Sequence, residues 1–135
     1  MPSDKPIREQ LEDYIEKKYK IREEQLPSNH EDYAVFRQVS GKWFAVFFVK
    51  PYREFGLGGD SLVDVVSFKI RDKELAEDLY RQAGYLRGYP SSGWGWVSAL
   101  LDGTVPFEDL RRWVDESYEA TVNEPGNMNI PLEKR

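Results

Sequence analysis

Six basic side chains (Arg37, Lys42, Lys50, Arg53, Lys69 and Arg87) and the tryptophans of Ser92-Gly93-Trp94-Gly95-Trp96 are the residues of this chain best suited to bind something. Guanidinium and ammonium groups that converge on one surface neutralise phosphates. An indole beside glycines offers a flat face for a nucleobase, and such stacking is worth about 1–3 kcal/mol per base. Arg37, Lys42 and Lys69, in or beside predicted strands, are the preferred phosphate contacts, joined by Arg87 and by Trp94 as the stacking ring. Each has a plainer alternative. Strand lysines protect sheet edges, and large rings fill cores. Trp96 is expected to be an internal anchor against Trp113 or Phe107, which leaves Trp94 as the ring that could touch a ligand.

Other chemistry is sparse. The chain has no cysteine, so thiolate catalysis, thiolate metal sites and disulfides are excluded. His30, the single histidine, stands in a polar stretch with no Ser/Asp constellation around it in the sequence. Gly56-Leu57-Gly58-Gly59 lacks the Lys-Ser/Thr that completes a phosphate-binding loop. Glu9, Glu12, Asp13 and Glu16 could in principle hold a hard cation. Lys17, Lys18 and Lys20 interleave with them, so a solvated helix face is the better reading. The expectation is a non-catalytic protein with no cofactor and no metal.

The chain has 135 residues, enough for one domain, and 40% hydrophobic with 14% aromatic content supports a packed core. No apolar run is long enough to cross a bilayer, and the N-terminus lacks the layout of a signal peptide. A cytoplasmic protein without a membrane partner is therefore expected. The net charge of −5 is unevenly spread. Residues 1–32 carry −3, residues 33–71 carry +3, residues 72–101 carry −1 and residues 102–135 carry −4. Acidity gathers at the ends and the middle is basic, and for polyanion binding the distribution outweighs the total.

The elements that must position these residues follow from periodicity. Ile7, Leu11, Tyr14 and Ile15 recur at helical spacing over residues 6–19. Residues 33–38 and 42–50 read as strands joined through Val39-Ser40-Gly41 as a hairpin, and residues 51–60 as a glycine-bearing loop. Residues 62–70 form a third strand. Asp72 caps a helix over residues 73–82, with Gly84 as its stop. Residues 85–89 and 94–101 are further strands, and Asp102-Gly103 turns the chain. A last helix opens near Pro106, with Phe107, Leu110, Trp113, Val114, Tyr118 and Val122 as its apolar stripe. This is an α+β fold, a mostly antiparallel sheet flanked by N- and C-terminal helices, over residues 1–122, with residues 123–135 as a tail. In the strand Trp43–Val49, alternation sends Trp43, Ala45 and Phe47 one way and Phe44, Val46 and Phe48 the other. Both sets are apolar, so both sheet faces should be covered, the second by the tail or by a partner.

"GWVSALLDGTVPFEDLRRWVDESYEA" resembles the C-terminal signature of the MmcQ/YjbR family of bacterial proteins, through Trp96, Leu101, Asp102, Gly103, Pro106, Ser117 and Tyr118. "GKWFAVFF" and "VDVVSFKIRDKELAEDL" resemble the family's earlier strand and strand–helix unit, so the similarity spans about residues 33–121 in the expected order. The resemblance implies a CyaY-like, or frataxin-like, fold and a DNA-binding role in a double-wing arrangement, with no catalytic activity. It also brings the acidic ridge of frataxins into comparison as a third, lesser reading, metal binding by the first helix. Relatives commonly carry Tyr-His-Met-Asn-Lys-x-His-Trp where this chain has Tyr89-Pro90-Ser91-Ser92-Gly93-Trp94-Gly95-Trp96, so a function of those polar groups does not carry over. Two functions remain open: a DNA-binding module on the basic, aromatic sheet, or a protein-interaction module using the doubly apolar strand or the tail.

Overall fold

Leu11 and Ile15, one helical turn apart, and the aromatic, β-branched run from Trp43 to Val49 provide the two halves of a layered core. A computed structural model describes residues 5–25, 33–87 and 95–122. Its helices are α1 (Ile7–Tyr19), α2 (Lys73–Tyr80) and α3 (Phe107–Thr121). Its strands are β1 (Glu24–Gln25), β2 (Ala34–Arg37), β3 (Trp43–Pro51), β4 (Leu62–Lys69), β5 (Tyr85–Arg87) and β6 (Trp96–Leu100), and a 3₁₀ turn spans Tyr52–Phe55. The strands form one sheet in the order β1-β2-β3-β4-β6-β5, and every pairing is antiparallel. The α+β expectation is met, with the N- and C-terminal helices against the sheet.

One face of the sheet carries the helices. Leu11 and Ile15 of α1, Ala76 and Leu79 of α2, and Leu110, Trp113 and Val114 of α3 pack with Phe36, Phe44, Phe47, Phe68 and Val97. The other face holds a second cluster built from Tyr33, Val35, Trp43, Val46, Phe48, Val65, Trp96 and Leu100. The second cluster is buried too, as a strand apolar on both sides requires. That face is therefore not an open apolar surface awaiting a partner. Residues 123–135, which the sequence offered as its cover and as a separate tail, lie outside the described residues.

The alternation within β3 differs from the expected one. Phe36 pairs with Ala45 and Arg37 with Trp43, so the register shifts there and Phe44 is left without a β2 partner. Such a bulge puts two neighbours on the same side of the strand. Phe44 and Ala45 both join the helix-bearing face, and Trp43 goes to the second face. Trp96 also departs from expectation, because it lies in the second cluster while Trp113 and Phe107 are on the helix side. Val122 is exposed, and the buried stripe of α3 ends instead on Ser117, Ala120 and Thr121.

Turn chemistry is as the sequence indicated, except that Arg81 in the right-handed region, and not Gly84, closes α2. Asp72 accepts hydrogen bonds from the backbone N–H groups of Glu74 and Leu75 and caps α2, which ends at Tyr80, two residues earlier than expected. Asp102 accepts from the N–H and the hydroxyl of Thr104, and Gly103 takes φ 97°. Gly84 has φ 91°, and a Cβ there would lie 2.7 Å from Val105 Cγ2. A side chain at that position is excluded by contact as well as by backbone geometry.

Candidate functional site

Strand register decides which basic residues meet. Arg37 is the partner of Trp43, Lys69 is the partner of Trp96, and β3 and β4 pair up to Ala45–Phe68, one step away. Four side chains from β2, β3, β4 and β6 therefore lie at one end of the second face, in the strand order cation, indole, cation, indole, with Arg37–Trp43 and Lys69–Trp96 as the register pairs. Glu24 of β1, opposite Val35, lies on the same face and holds Arg37: the Nε and Nη2 atoms donate to Oε1 at 3.1 and 2.8 Å. The partners are 25% and 49% exposed, and ion pairs at such exposure contribute about 0–1 kcal/mol. Lys69 is half-buried, its stem 3.7 Å from where a Cβ on Gly95 would stand.

The indoles are floor rather than platform. Trp43 is 5% and Trp96 8% exposed, so neither face is open for stacking. Trp43 Nε1 is buried without an acceptor among the described residues.

The site is fastened from behind by a residue that the sequence reading included only as a family match. Ser117 Oγ of α3 donates to the carbonyl of Phe44 at 2.7 Å and accepts from the N–H of Lys69 at 2.9 Å. Phe44 is the bulge residue whose place in the β2 ladder is lost, and one hydroxyl ties it and Lys69 to the helix layer. Gln38 Nε2, donating to the Tyr118 carbonyl at 2.9 Å and to Thr121 Oγ1 at 3.0 Å, fixes the base of the β2–β3 hairpin to the same helix.

The remaining candidates fall elsewhere. Lys42 is 6% exposed, so it is an internal side chain and not the surface contact expected. Arg87 pairs in register with Val97, which belongs to the helix-side cluster. It lies 4.3 Å over the Tyr80 ring and 3.6 Å from Glu77, both on α2. Lys50 is on the second face at the opposite end from Arg37, opposite Val63, and Arg53 pairs with Asp60 in the loop beyond it. Trp94 and His30 lie outside the described residues.

Charge divides between the two sides of the sheet. Among the described strand residues, the second face carries the basic side chains Arg37, Lys50 and Lys69 and the carboxylate of Glu24. On the other side α1 carries four carboxylates and three basic side chains, α2 three and one, and α3 five and two. Acidic groups there are tied up structurally. Asp115 accepts from Tyr14 at 2.7 Å, Tyr19 at 2.5 Å and Lys18 at 3.1 Å. Burial alone would raise its carboxyl, but these bonds outweigh it and hold the group below the usual carboxylate range. Glu12 is pushed up to about 7, first by burial and then by Glu23, against the opposing pull of Arg8. Among the described residues no group of three or more His, Cys, Asp or Glu is placed to hold a metal ion. None of the described helices is long and apolar enough to cross a membrane.

Comparison with known proteins agrees with this architecture. The family model described as YjbR matches residues 17–120. A protein of Bacillus subtilis, "Uncharacterized protein YyaQ", is 24% identical over 115 residues, covering 84% of this chain and 97% of that protein. A crystal structure of a protein from Pseudomonas syringae is 30% identical with a TM-score of 0.79, covering 84% of this chain and 97% of the other. A crystal structure from Deinococcus radiodurans with a DUF419 domain is 26% identical, with a TM-score of 0.56 over 77% of this chain and 70% of the other.

Proposed function

The chain belongs to the YjbR family, and on that premise we propose that it is a non-catalytic module that binds DNA through the cationic end of its second sheet face. Arg37 and Lys69 are the phosphate contacts, and Trp43 and Trp96 form the apolar floor that holds their stems apart at a fixed spacing. The observation that carries this reading is the row of alternating cations and indoles set across four strands. Its support is the separation of charge: the three helices hold twelve of the 24 carboxylates on the far side of the sheet, so a polyanion approaches without crossing those. The Arg37–Glu24 pair does not oppose binding, since a weak exposed pair exchanges readily for a phosphate.

The test is an electrophoretic shift at low salt with a short duplex. The combined Arg37→Ala and Lys69→Glu variant is expected to abolish the shift, and Arg87→Ala, on the other side of the sheet, to leave it intact. Both positions are only half-buried, so the fold should tolerate the changes. A shift that persists unchanged in the double variant would overturn the assignment.

A further inference from the structure

We infer that Glu12 of α1 and Glu23, the residue before β1, share one proton in the folded chain, and that this carboxyl–carboxylate bond latches the edge strand β1 onto α1. The two side chains are in hydrogen-bond contact. Glu23 Oε1 is buried, and among the described residues no donor reaches it. Ionised carboxylates have only acceptors, so two of them in contact cannot bond each other, and their repulsion drives one to take up a proton. That proton is the donor that Glu23 Oε1 lacks, and a buried acceptor is costly to leave unpaired.

The surrounding charges keep the proton in place. Arg8 Nε donates to Glu12 Oε2 at 3.0 Å and its Nη1 to Asp64 Oδ1 of β4 at 3.3 Å, so one guanidinium is divided between two carboxylates. The Arg8 and Glu12 side chains are 15% and 16% exposed, and burial acts with Glu23 against ionisation of Glu12. Glu16 Oε2 accepts from the Glu23 backbone N–H at 3.5 Å, and Gln25 Nε2 lies 3.4 Å from Glu23 Oε2. From α3, Asp115 and Arg111 turn to Tyr14, Lys18 and Tyr19 instead. β1 is two residues long and lies at the edge of the sheet, where it pairs with β2 through Glu24–Val35 and Gln25–Ala34. So short a strand is held weakly by its own ladder. Loss of the shared proton sets two negative charges against each other beside it and lets β1 lift from β2.

Carboxyl ¹³C resonances and amide hydrogen exchange of the labelled full chain, followed across the pH range, test the latch. The Glu12 and Glu23 signals should move together in a step near neutrality, because a shared proton belongs to the pair. Closed and open forms of the latch differ in the proton affinity of Glu12, about 7 against the ordinary 4.5. Protection of the amides of residues 24, 25, 34 and 35 should therefore fall about tenfold between pH 6 and pH 8, beyond the intrinsic pH dependence of exchange. Glu23→Gln replaces the shared proton with an amide donor, so Glu12 should titrate well below neutrality and the protection should lose its pH dependence. A Glu12 step that stays near neutrality in Glu23→Gln would show that burial alone holds the proton, and would overturn the sharing. Paired titration with constant β1 protection would overturn the latch. If Glu23→Gln fails to fold, the wild-type signals still decide, since a Glu23 resonance that is stationary through the Glu12 step also overturns the inference.

Discussion

Ser117 shows how single atoms set the position of the cationic row. Its hydroxyl is the common partner of Phe44, freed from the ladder by the bulge, and of Lys69, the central cation. Ser117→Ala leaves a buried carbonyl and a backbone N–H unpaired, and should cost about 1–3 kcal/mol in urea denaturation; unchanged stability would show that the bond is replaceable. Two carboxyl groups give pH dependences of opposite sign. Glu12 has its proton affinity raised from the ordinary 4.5 to about 7 on folding. The folded chain therefore binds a proton that the unfolded chain releases. That stability is complete below about 4.5 and is lost as pH rises through about 7. Glu12→Gln should remove this loss and raise stability above neutrality by on the order of 1–2 kcal/mol. Asp115 works the other way: its affinity is depressed, so its contribution is present above the usual 3.8 and disappears as the solution is acidified. Thermal melts across the range check both signs, and a wild-type curve that keeps rising above neutrality would contradict the Glu12 assignment.

At the scale of elements, the strands and helices were legible because their apolar periods are strong, whereas the face of each strand was not. Period two sorts side chains into two sets without saying which set faces the helices, and one bulge exchanges them. For that reason strict alternation groups Trp43 with Ala45 and Phe47, and Phe44 with Val46 and Phe48, whereas the bulge exchanges the two. Arg87 could be placed on the helix side only once β5 was in register with β6. Lys42 beside a turn reads as solvated, and its burial comes from tertiary packing that no local pattern encodes. The two-residue β1 is too short for alternation to signal it, yet its Glu24 holds Arg37. Turn chemistry was readable because it is local: Asp72, Gly41 and Asp102-Gly103 all act as their residue types imply. Gly84 gives the sharpest element-level prediction. Gly84→Ala combines a positive φ with Cβ contacts at 2.7 and 2.9 Å to Val105 and Thr104, and should destabilise by about 2 kcal/mol or more. A calorimetric melt matching the wild type would mean that the β6–α3 connection moves aside without cost.

For the whole molecule, a net charge of −5 argues against a polyanion ligand only if the charge is evenly spread. The basic middle segment was visible along the chain, and folding puts much of it on one side of the sheet while the helices keep their carboxylates on the other. The gathering is partial: Arg37 and Lys69 are at one end, Lys50 is at the far end, Lys42 is buried, and Arg87 is on the helix side. An interface of two or three phosphate contacts is modest, so binding should be weak at physiological salt and steeply salt-dependent. The most direct measurement is the affinity for a short labelled duplex as a function of salt, by fluorescence anisotropy. The expected slope of log K against log salt is about −2 to −3 for the wild type, falling by about one for each of Arg37→Ala and Lys69→Ala. A slope near zero, or one that neither substitution changes, would contradict the proposed interface.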